Sequence, residues 1–465
     1  MSWIRASLIL ATFTAGAGGV LVACAEDERS DAVAPSPDAS ADGDAEDAAV
    51  DAGADADARP PFVVVEEEVV CKGSPCAKEI VAGDDHFCAR MDDGTVRCWG
   101  SDAFGALGRG DVPDDADGGA GWKVGTVSNL TEVVQLSAGG ATTCARRKDG
   151  SVMCWGGNSF GQLGLAIEPP IADFDPHPAP APVELPPGAL AARIDVGPST
   201  ACVVTASGAL VCWGNNEQAQ LARPDAGRGD VNGPAFADVG QLVVGRAVPA
   251  THTTLAVTKS GEIWSWGALA GRFGPLAGRV ASVSPDAVPR RVVPLGGVTS
   301  FAASGWVEDL ETPEPTLPRA HACAIADGEV YCWGQTYRGA LCTGTPDPSR
   351  LPAHAPNYTD VWPQQVVVAD ELTCLRMTDG TVQCCGDDGR GRLGTGAVAS
   401  FPYESAFVPA TAFKGHAVQL AATNGAVCAL VQGGTVECWG SNEKGELGQP
   451  TSDALDHPSP VGVRL

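Results

Sequence analysis

Cysteine residues recur along this sequence in pairs with nearly constant spacing. The partners lie ten positions apart in five pairs and nine apart in a sixth, and the six pairs are Cys88 and Cys98, Cys144 and Cys154, Cys202 and Cys212, Cys323 and Cys332, Cys374 and Cys384, and Cys428 and Cys438. Such thiols can form disulfides or bind zinc. Because zinc sites usually have the tighter Cys-x-x-Cys spacing and often a histidine, the spacing favours disulfides and no metal site.

The residues between the cysteines of each pair predict a β-hairpin. In the first pair, Asp92-Asp93-Gly94 supply a turn between two β-prone runs. Pairing inward from the cysteines places Ala89 opposite Arg97, so the two thiols lie directly across from each other. The nine-residue pair leaves only Asp327-Gly328 as its loop, which is typical of a type I′ turn.

Two further observations concern cysteines. In a seventh, degenerate copy of the hairpin, Leu255 and Ser265 occupy both cysteine positions, and the joint loss is what a bonded pair predicts. Cys71 and Cys76 bracket Lys-Gly-Ser-Pro, and we expect them to close a small local loop.

A recurring motif follows the hairpins at a regular interval. It consists of Cys-Trp-Gly and, in six copies, a Leu eight residues beyond the Trp position within Gly-x-Leu-Gly or a variant of it; the motif positions, 52 to 67 residues apart, are Trp99, Trp155, Trp213, Trp266, Trp333, Cys385 and Trp439. A Pro-led strand and an apolar strand precede each hairpin. Four short strands in about 55 residues are typical of a propeller blade, and helical periodicity is absent. The sequence predicts an all-β, seven-bladed propeller over residues 69–465.

One repeat interface departs from the motif at two positions. Cys342 replaces the second Gly of Gly-x-Leu-Gly, and Cys385 replaces the repeat Trp in the next copy. We expect these two cysteines to form a disulfide between neighbouring blades.

The end of the chain suggests how the ring closes. Residues 457–465 resemble the strand that begins a unit, yet no hairpin follows them, whereas the first unit starts at residue 77 without such a strand. We therefore expect the C-terminal strand to complete the first blade, which would remove two open sheet edges.

The N-terminal residues are typical of an export signal and a spacer. Residues 1–23 form a short apolar segment after Arg5, and residues 21–24, Leu-Val-Ala-Cys, resemble the lipobox of bacterial lipoproteins, so Cys24 is the predicted lipidation site. The alternative is an ordinary signal peptide with an incidental cysteine. Residues 24–68 are rich in Ala and Asp; residues 25–58 hold twelve acidic side chains against one Arg, which predicts a disordered tether.

The repeat resembles that of the regulator of chromosome condensation family. The resemblance rests on the recurring Asp-Gly-Thr-Val-x-Cys-Trp-Gly and Gly-Gln-Leu-Gly, with Ala-Gly-x-x-His-x-Cys upstream, over about residues 70–465. It implies a seven-bladed propeller in the cysteine-bearing version of exported bacterial proteins. Members serve as an exchange factor for the GTPase Ran, a plant photoreceptor and a secreted β-lactamase inhibitor, so the resemblance implies no single activity.

Charge argues against nucleic acid as a partner. The formal net charge is -27, and Lys and Arg form no cluster of the kind that binds phosphates. The chain also lacks the basic arm and the clustered face tryptophans of two of those family members.

Two common motifs of catalysis are missing from the sequence. It contains no His-Glu-x-x-His and no P-loop. His86, His252 and His321 recur at the strand entry of three blades, and we interpret them as turn-capping side chains. We assign no catalytic residue, cofactor or metal.

Long loops are the remaining candidates for binding. They span residues 109–122, 165–182, 304–320 and 343–362, and the aromatic side chains that we expect to anchor a partner are Trp306, Trp122, Tyr337, Tyr358 and Trp362.

The preferred interpretation is a non-catalytic, monomeric propeller that binds an unknown protein partner. It would be anchored by lipid to the bacterial cell envelope, at the outer membrane, as an inhibitor or a scaffold. The alternative is an extracellular glycan-acting enzyme with its site in the central funnel.

Overall fold

A computed structural model describes residues 61–110, 123–224, 229, 231–269, 276–280, 284–304, 320–357, 359–398 and 401–465. In these ranges 28 strands form seven four-stranded antiparallel sheets, and 3₁₀ turns occupy Ala103–Gly105 and Gly389–Gly391. The inner strands of all seven sheets surround one central channel. The seven-bladed, all-β propeller is confirmed. No helix of the described ranges is long and apolar enough to cross a membrane.

Each blade contains four strands in chain order, from the channel outward. Blade 1 consists of β1 (Ala77–Ala82), β2 (His86–Met91), β3 (Val96–Gly100) and β4 (Gly125–Thr126). Blade 2 consists of β5 (Val133–Gly139), β6 (Thr142–Arg147), β7 (Val152–Asn158) and β8 (Asp173–Pro182). Blade 3 consists of β9 (Ala191–Val196), β10 (Thr200–Thr205), β11 (Leu210–Gly214) and β12 (Asn232–Phe236). Blade 4 consists of β13 (Val244–Pro249), β14 (Thr253–Thr258), β15 (Ile263–Gly267) and β16 (Asp286–Arg291).

The remaining three blades repeat this order. Blade 5 consists of β17 (Val298–Ala303), β18 (Ala320–Ala326), β19 (Glu329–Gln335) and β20 (Ser349–His354). Blade 6 consists of β21 (Pro363–Ala369), β22 (Leu372–Met377), β23 (Val382–Asp387) and β24 (Tyr403–Pro409). Blade 7 consists of β25 (Ala417–Ala422), β26 (Ala426–Val431), β27 (Val436–Asn442) and β28 (Asp453–Gly462).

The second and third strands of each blade form the hairpin that the sequence predicts. In blade 1, Ala89 lies opposite Arg97. The shorter hairpin of blade 5 turns through Asp327 and Gly328, whose φ angles are 50° and 84°. Both positive angles belong to the type I′ turn, so the nine-residue spacing preserves the cysteine register.

A disulfide joins the two central strands in six of the seven hairpins. The half-cystines of each hairpin face each other with their Cα atoms 4.1 Å apart; Cys88 is bonded to Cys98, Cys144 to Cys154, Cys202 to Cys212, Cys323 to Cys332, Cys374 to Cys384, and Cys428 to Cys438. In blade 4, Leu255 and Ser265 face each other at the equivalent positions. The pairing therefore follows directly from the hairpin register.

The Pro-led strands end the blades instead of beginning them. The strand after each Gly-x-Leu-Gly loop runs back along the third strand of the same blade, as β8 does along β7. The predicted unit is therefore wrong by one strand. The repeat period determines the spacing of the strands but not the point at which a blade starts. That point is determined by the strand after the loop, which pairs antiparallel with the third strand of the same blade.

Ring closure also differs from the prediction. The C-terminal strand β28 pairs with β27 in blade 7 and not with blade 1, so no strand of the described ranges crosses the seam. The seam is closed by packing. Ala77 and Trp99 of blade 1 share a buried cluster with Val418 and Leu447 of blade 7.

Residues 61–76 lie across the hairpin-turn side of blades 5 to 7 before the chain enters β1; we call this segment the strap. The Phe62 ring lies 5.6 Å from that of Trp362, the Val65 amide donates to Gln364 Oε1 at 2.8 Å, and the Val70 amide donates to the Gln432 carbonyl at 2.9 Å. The predicted boundary of the tether at residue 68 is wrong, because residues within 61–68, such as Phe62, pack against the propeller.

Candidate interaction surfaces and the central channel

The repeat tryptophans join neighbouring blades. Each Trp is fully buried, and its Nε1 donates at 2.8 to 2.9 Å to a loop carbonyl of the preceding blade; the pairs are Trp99 to Glu446, Trp155 to Ala106, Trp213 to Gln162, Trp266 to Gln220, Trp333 to Leu276 and Trp439 to Arg392. The first of these pairs spans the seam between blades 7 and 1. The seam therefore has the same contact as the ordinary interfaces.

A disulfide takes this place between blades 5 and 6. Cys342 and Cys385 are bonded across the interface, with Cα atoms 5.7 Å apart, and both are fully buried. At five of the six other interfaces the Cys342 position is a glycine, and a Cβ added to Gly108 would lie 2.8 Å from Trp155 Nε1. At the sixth it is Ala222, which is buried in one cluster with Trp266. The larger Cys342 side chain occurs together with the smaller Cys385 in place of the Trp. The local loop is closed by a disulfide between Cys71 and Cys76.

Two of the three recurring histidines also connect blades. His86 Nε2 shares a hydrogen bond of 2.7 Å with Thr143 Oγ1 of the next blade, and His321 Nε2 shares one of 2.8 Å with Thr373 Oγ1. Burial lowers the pKa of both imidazoles to about 4. The turn-capping interpretation is wrong for these two, because their rings point across the interface and are neutral at pH 7.

The third residue of six inner strands bridges to the next blade, and the third residue of the blade 3 strand, Arg193, pairs with Asp195 of its own strand. A β-bulge precedes this position in every inner strand and re-aims its side chain. Gln419 shows the pattern at the seam: its Nε2 donates to the Ile80 carbonyl at 2.9 Å, and its Oε1 accepts from the Ile80 amide at 3.0 Å. The seven residues, which we call the bridging ring, are Glu79, Gln135, Arg193, Arg246, Ser300, Gln365 and Gln419.

The bridging ring faces a channel of about 420 Å³ that all seven inner strands line. Burial raises the pKa of Glu79, and contacts with Arg90 at 3.0 Å oppose that effect. Glu79 Oε2 also accepts from the Leu136 amide of blade 2 at 3.3 Å. This carboxylate is therefore occupied in joining blades.

The opposite end of the channel is acidic. Asp84 follows β1 and lines the channel together with Asp370 of blade 6. Burial, and then repulsion by Asp85, raises the pKa of Asp84 to about 6. The Asp84 amide donates to the Gly140 carbonyl at 2.9 Å, so the backbone here is held between two blades.

Basic side chains at three loop tips reach acids of the following blade. Lys444 Nζ lies 2.6 Å from an oxygen of Asp85, Arg338 lies 2.8 Å from Asp387 and 3.1 Å from Glu371, and Arg390 contacts Glu443. The Lys444 and Arg390 pairs are exposed and contribute at most about 1 kcal/mol each. The three sets of contacts hold the loop tips of blades 5 to 7 in place on the side opposite the hairpin turns.

The predicted anchoring aromatics do not form one patch. Tyr337 lies on a loop of blade 5 with 41% of its surface exposed. Trp362 lies on the hairpin-turn side, where Phe62 of the strap covers it and a Cβ on Gly328 would meet its ring at 2.8 Å. Trp306, Trp122, Tyr358 and the lipidation site Cys24 lie outside the described residues.

Sequence reasoning missed the bridging ring. Its members are of four residue types, although all precede the apolar half of the strand motif at the same position, as Gln135 does in Val-Val-Gln-Leu. An alignment of the seven inner strands on their third residue would have placed them in one set.

Comparison with known proteins agrees with this architecture. The regulator of chromosome condensation (RCC1) repeat matches residues 77–106, 133–162 and 192–220. The first three blades of the chain therefore contain RCC1 repeats. Each matched RCC1 repeat runs from an inner strand through the hairpin into the Gly-x-Leu-Gly loop, so the family repeat and the blade share the same first three strands.

Two curated proteins are similar to this chain in sequence. The chain is 30% identical to the ultraviolet-B receptor UVR8 of Arabidopsis thaliana over 231 residues, which are 49% of each protein. It is 25% identical to the E3 ubiquitin-protein ligase HERC2 of Homo sapiens over 395 residues, which are 82% of this chain and 7% of the ligase. The chain thus spans about half the length of the receptor and a small part of the ligase.

A solved structure shows the same fold. Prp20p from Saccharomyces cerevisiae superposes with a TM-score of 0.62 at 15% identity, covering 86% of this chain and 88% of that chain. At this identity the likeness establishes the shared propeller.

Proposed function

We propose that the protein is a non-catalytic, monomeric interaction propeller, exported by a bacterial cell and anchored to its outer membrane by lipid on Cys24. Residues 1–23 act as the signal peptide, and the acidic residues that follow Cys24 hold the propeller away from the membrane. The sequence motif supports this proposal. Eight disulfides in the described ranges support export, because such bonds persist in oxidising compartments.

Lipid anchoring is tested by metabolic labelling with palmitate in the bacterial host. We expect the full chain to be labelled and to fractionate with outer membranes, and Cys24→Ala to be unlabelled and soluble. The double variant Cys71→Ala/Cys76→Ala is the matched control and keeps the label. Membrane fractionation of Cys24→Ala equal to that of the parent would refute the anchor.

One observation supports interaction instead of catalysis. The repeat tryptophans and six of the seven bridging-ring side chains inside the wheel join blades, whereas large apolar side chains are exposed outside it, as Tyr337, Phe174 and Phe401 are. Exposed aromatic side chains are the residues that most often anchor protein partners. The relative Prp20p is described with binding properties to Gsp1p and histones. We infer a protein partner on the rim, which the propeller inhibits or holds in place.

The partner is tested by chemical cross-linking in envelope membranes followed by capture of the propeller. We expect Tyr337→Ala or Trp306→Ala to reduce recovery of a captured protein at least fivefold. Arg290→Gln, a change on the outer strand of blade 4, is the control and leaves recovery unchanged. Unchanged recovery with every exposed aromatic replaced would refute a rim site.

A second candidate, an extracellular glycan-acting enzyme, is supported by Asp84. A carboxyl with a pKa of about 6 is suited to donate a proton to a glycosidic oxygen. Glu79 cannot be its catalytic partner, because five residues of strand separate them by about 16 Å, whereas paired carboxylates of glycosidases lie within about 9.5 Å. Release of sugar from envelope glycans by the parent and not by Asp84→Asn would support this candidate, and no release by the parent would remove it.

A further inference from the structure

The hairpin-turn half of the central channel holds a cluster of arginines. Arg193 donates to Asp195 from Nε at 2.7 Å and from Nη2 at 2.8 Å. Arg246 of the neighbouring blade places its Nε 3.5 Å from Asp195 Oδ1. One carboxylate is therefore shared by two guanidinium groups, both of which line the channel.

The nearby acids do not balance this charge. Arg90 pairs with Glu79 at 3.0 Å, and Arg146 interacts with both Glu79 and Arg193. The cluster, as described, contains the arginines at 90, 146, 193 and 246 and the acids at 79 and 195, so four positive charges minus two negative charges give a formal charge of +2. The whole chain has a formal charge of -27. This half of the channel is therefore locally positive in a strongly negative protein.

The two channel arginines are accessible, although the acid that holds them is not. The side chains of Arg193 and Arg246 are 36% and 40% exposed, whereas that of Asp195 is 7% exposed. Arg246 is also held by its Nη1, which donates to the Phe301 carbonyl of blade 5 at 2.7 Å. The guanidinium groups are therefore fixed in position with open edges toward the channel, as a binding site requires.

We propose that this half of the channel binds a small oxyanion, a carboxylate or a phosphate group, between Arg193 and Arg246. The planar guanidinium group offers paired N–H donors that match both anions. The channel volume of about 420 Å³ falls within the range of small-molecule sites, about 300 to 1,000 Å³. The site is separate from the partner surface proposed on the rim.

The acidic end of the channel determines from which side an anion can reach the arginines and how a ligand is oriented there. Asp84 and Asp370 line the opposite end, so a second anion is repelled there. An anion approaching the arginines from the hairpin-turn side does not pass these acids. A ligand with an amine in addition to its oxyanion is oriented with the amine toward Asp84.

The bridging ring supplies variants that remove charge and use a side chain already present at this position of the ring. Gln occupies the equivalent position in blades 2, 6 and 7, where it bridges to the next blade through two hydrogen bonds. Arg193→Gln/Arg246→Gln therefore removes two charges and introduces a side chain that the ring already uses. Arg290→Gln removes one positive charge from the outer strand of blade 4, where Arg290 is 64% exposed, and is the control.

The test is isothermal titration of the full chain with succinate and, separately, inorganic phosphate, at constant ionic strength in sodium chloride. We expect one saturable site for at least one probe, at least tenfold weaker binding in Arg193→Gln/Arg246→Gln, and unchanged binding in Arg290→Gln. The probe that binds identifies the anion as carboxylate or phosphate. Matching melting temperatures of parent and variants verify that the fold is intact.

Glu79→Gln provides the opposite change. It removes a negative charge from the cluster and restores the ring's Gln, so we expect affinity for the anion to rise severalfold. Absence of saturable binding for both probes overturns the proposal, as does equal binding by the folded double variant. Partner capture at the rim is measured separately, so either proposal can fail alone.

Discussion

The interface between blades 5 and 6 differs from the interface between blades 1 and 2 at the position of the repeat tryptophan. Blade 2 donates Trp155 Nε1 to the Ala106 carbonyl of blade 1, whereas blade 6 bonds Cys385 to Cys342 of blade 5. The residue beside the Trp is a glycine at five interfaces and Ala222 at a sixth, and the larger cysteine occurs only where the Trp is replaced as well. The difference shows that a contact between blades can be kept at this position although both of its residues are replaced.

Both interfaces keep a histidine and a bridging side chain around this pair. His86 and His321 each share a hydrogen bond with a threonine of the following blade. The bridging side chains are Glu79 in blade 1 and Ser300 in blade 5, whose Oγ accepts from the Val366 amide at 3.0 Å. The covalent bond is therefore added within an otherwise standard interface. Variants can test each kind of contact separately.

Removal of a repeat tryptophan should produce the largest effect. We expect Trp155→Ala to lower the free energy of unfolding by about 3 to 5 kcal/mol, since it deletes a fully buried indole and its hydrogen bond. Guanidinium denaturation measures this. Trp264→Ala in blade 4, where the side chain is only half-buried, is the control and should cost less than half as much. Equal losses would show that the motif Trp is not special.

Loss of the disulfide between blades should come next. We expect Cys342→Ser/Cys385→Ser to cost about 4 kcal/mol, the closure entropy of a loop of this length. Cys342→Gly/Cys385→Trp restores the pair of the other interfaces and should recover much of that loss. Peptide mapping of the parent should find neither cysteine alkylated without prior reduction. If the Gly/Trp variant is no more stable than the Ser/Ser variant, the two contacts are not interchangeable.

Acid should weaken the two interfaces alike through their histidines. Burial lowers the pKa of His86 and His321 to about 4, below the value in the unfolded chain, about 6.5. The unfolded chain therefore takes up protons first, and stability is complete above about pH 6.5 and falls as pH decreases toward 4. Each histidine contributes on the order of 2 to 3 kcal/mol to this fall.

The variant His86→Gln/His321→Gln should flatten that slope in urea titrations between pH 7 and 4. Asp84 acts in the opposite direction, because its raised pKa makes the folded chain take up a proton first as pH falls through about 6. Asp84→Asn should therefore steepen the loss in acid. Parallel stability curves for the parent and the histidine variant would contradict the assignment.

The smallest effect concerns the seam. Gln419→Ala deletes two hydrogen bonds between blades 7 and 1, and Gln135→Ala deletes the equivalent bonds between blades 2 and 3. We expect each to cost about 1 to 2 kcal/mol and the two to agree within about 0.5 kcal/mol, the usual error of additivity. A much larger loss at Gln419 would show that the seam is a weak point.

Local features of this fold follow from the sequence, and the long-range ones do so only in part. The spacing of Cys88 and Cys98 around a Gly turn determines the hairpin register because both strands are adjacent in the chain. The disulfide between Cys342 and Cys385 is predictable because two motif positions change in neighbouring copies. The seam is not predictable, since a period of similar strands contains no mark of where a blade ends.

The candidate site is less predictable than the fold. The position of Arg193 and Arg246 in the channel depends on a bulge before each residue, and the sharing of Asp195 depends on two blades meeting. Neither is visible in one strand's pattern. Tyr337 was found as an exposed loop aromatic, but Trp362 is covered by a strap that the acidic composition of residues 24–68 conceals.

Every blade of this ring takes its four strands from one stretch of chain. A gene for such a ring can be rearranged at the boundaries between blades, because each of the seven sheets is encoded by one continuous segment. Termini relocated to another boundary would leave all seven sheets intact, and a folded circular permutant is the expected product.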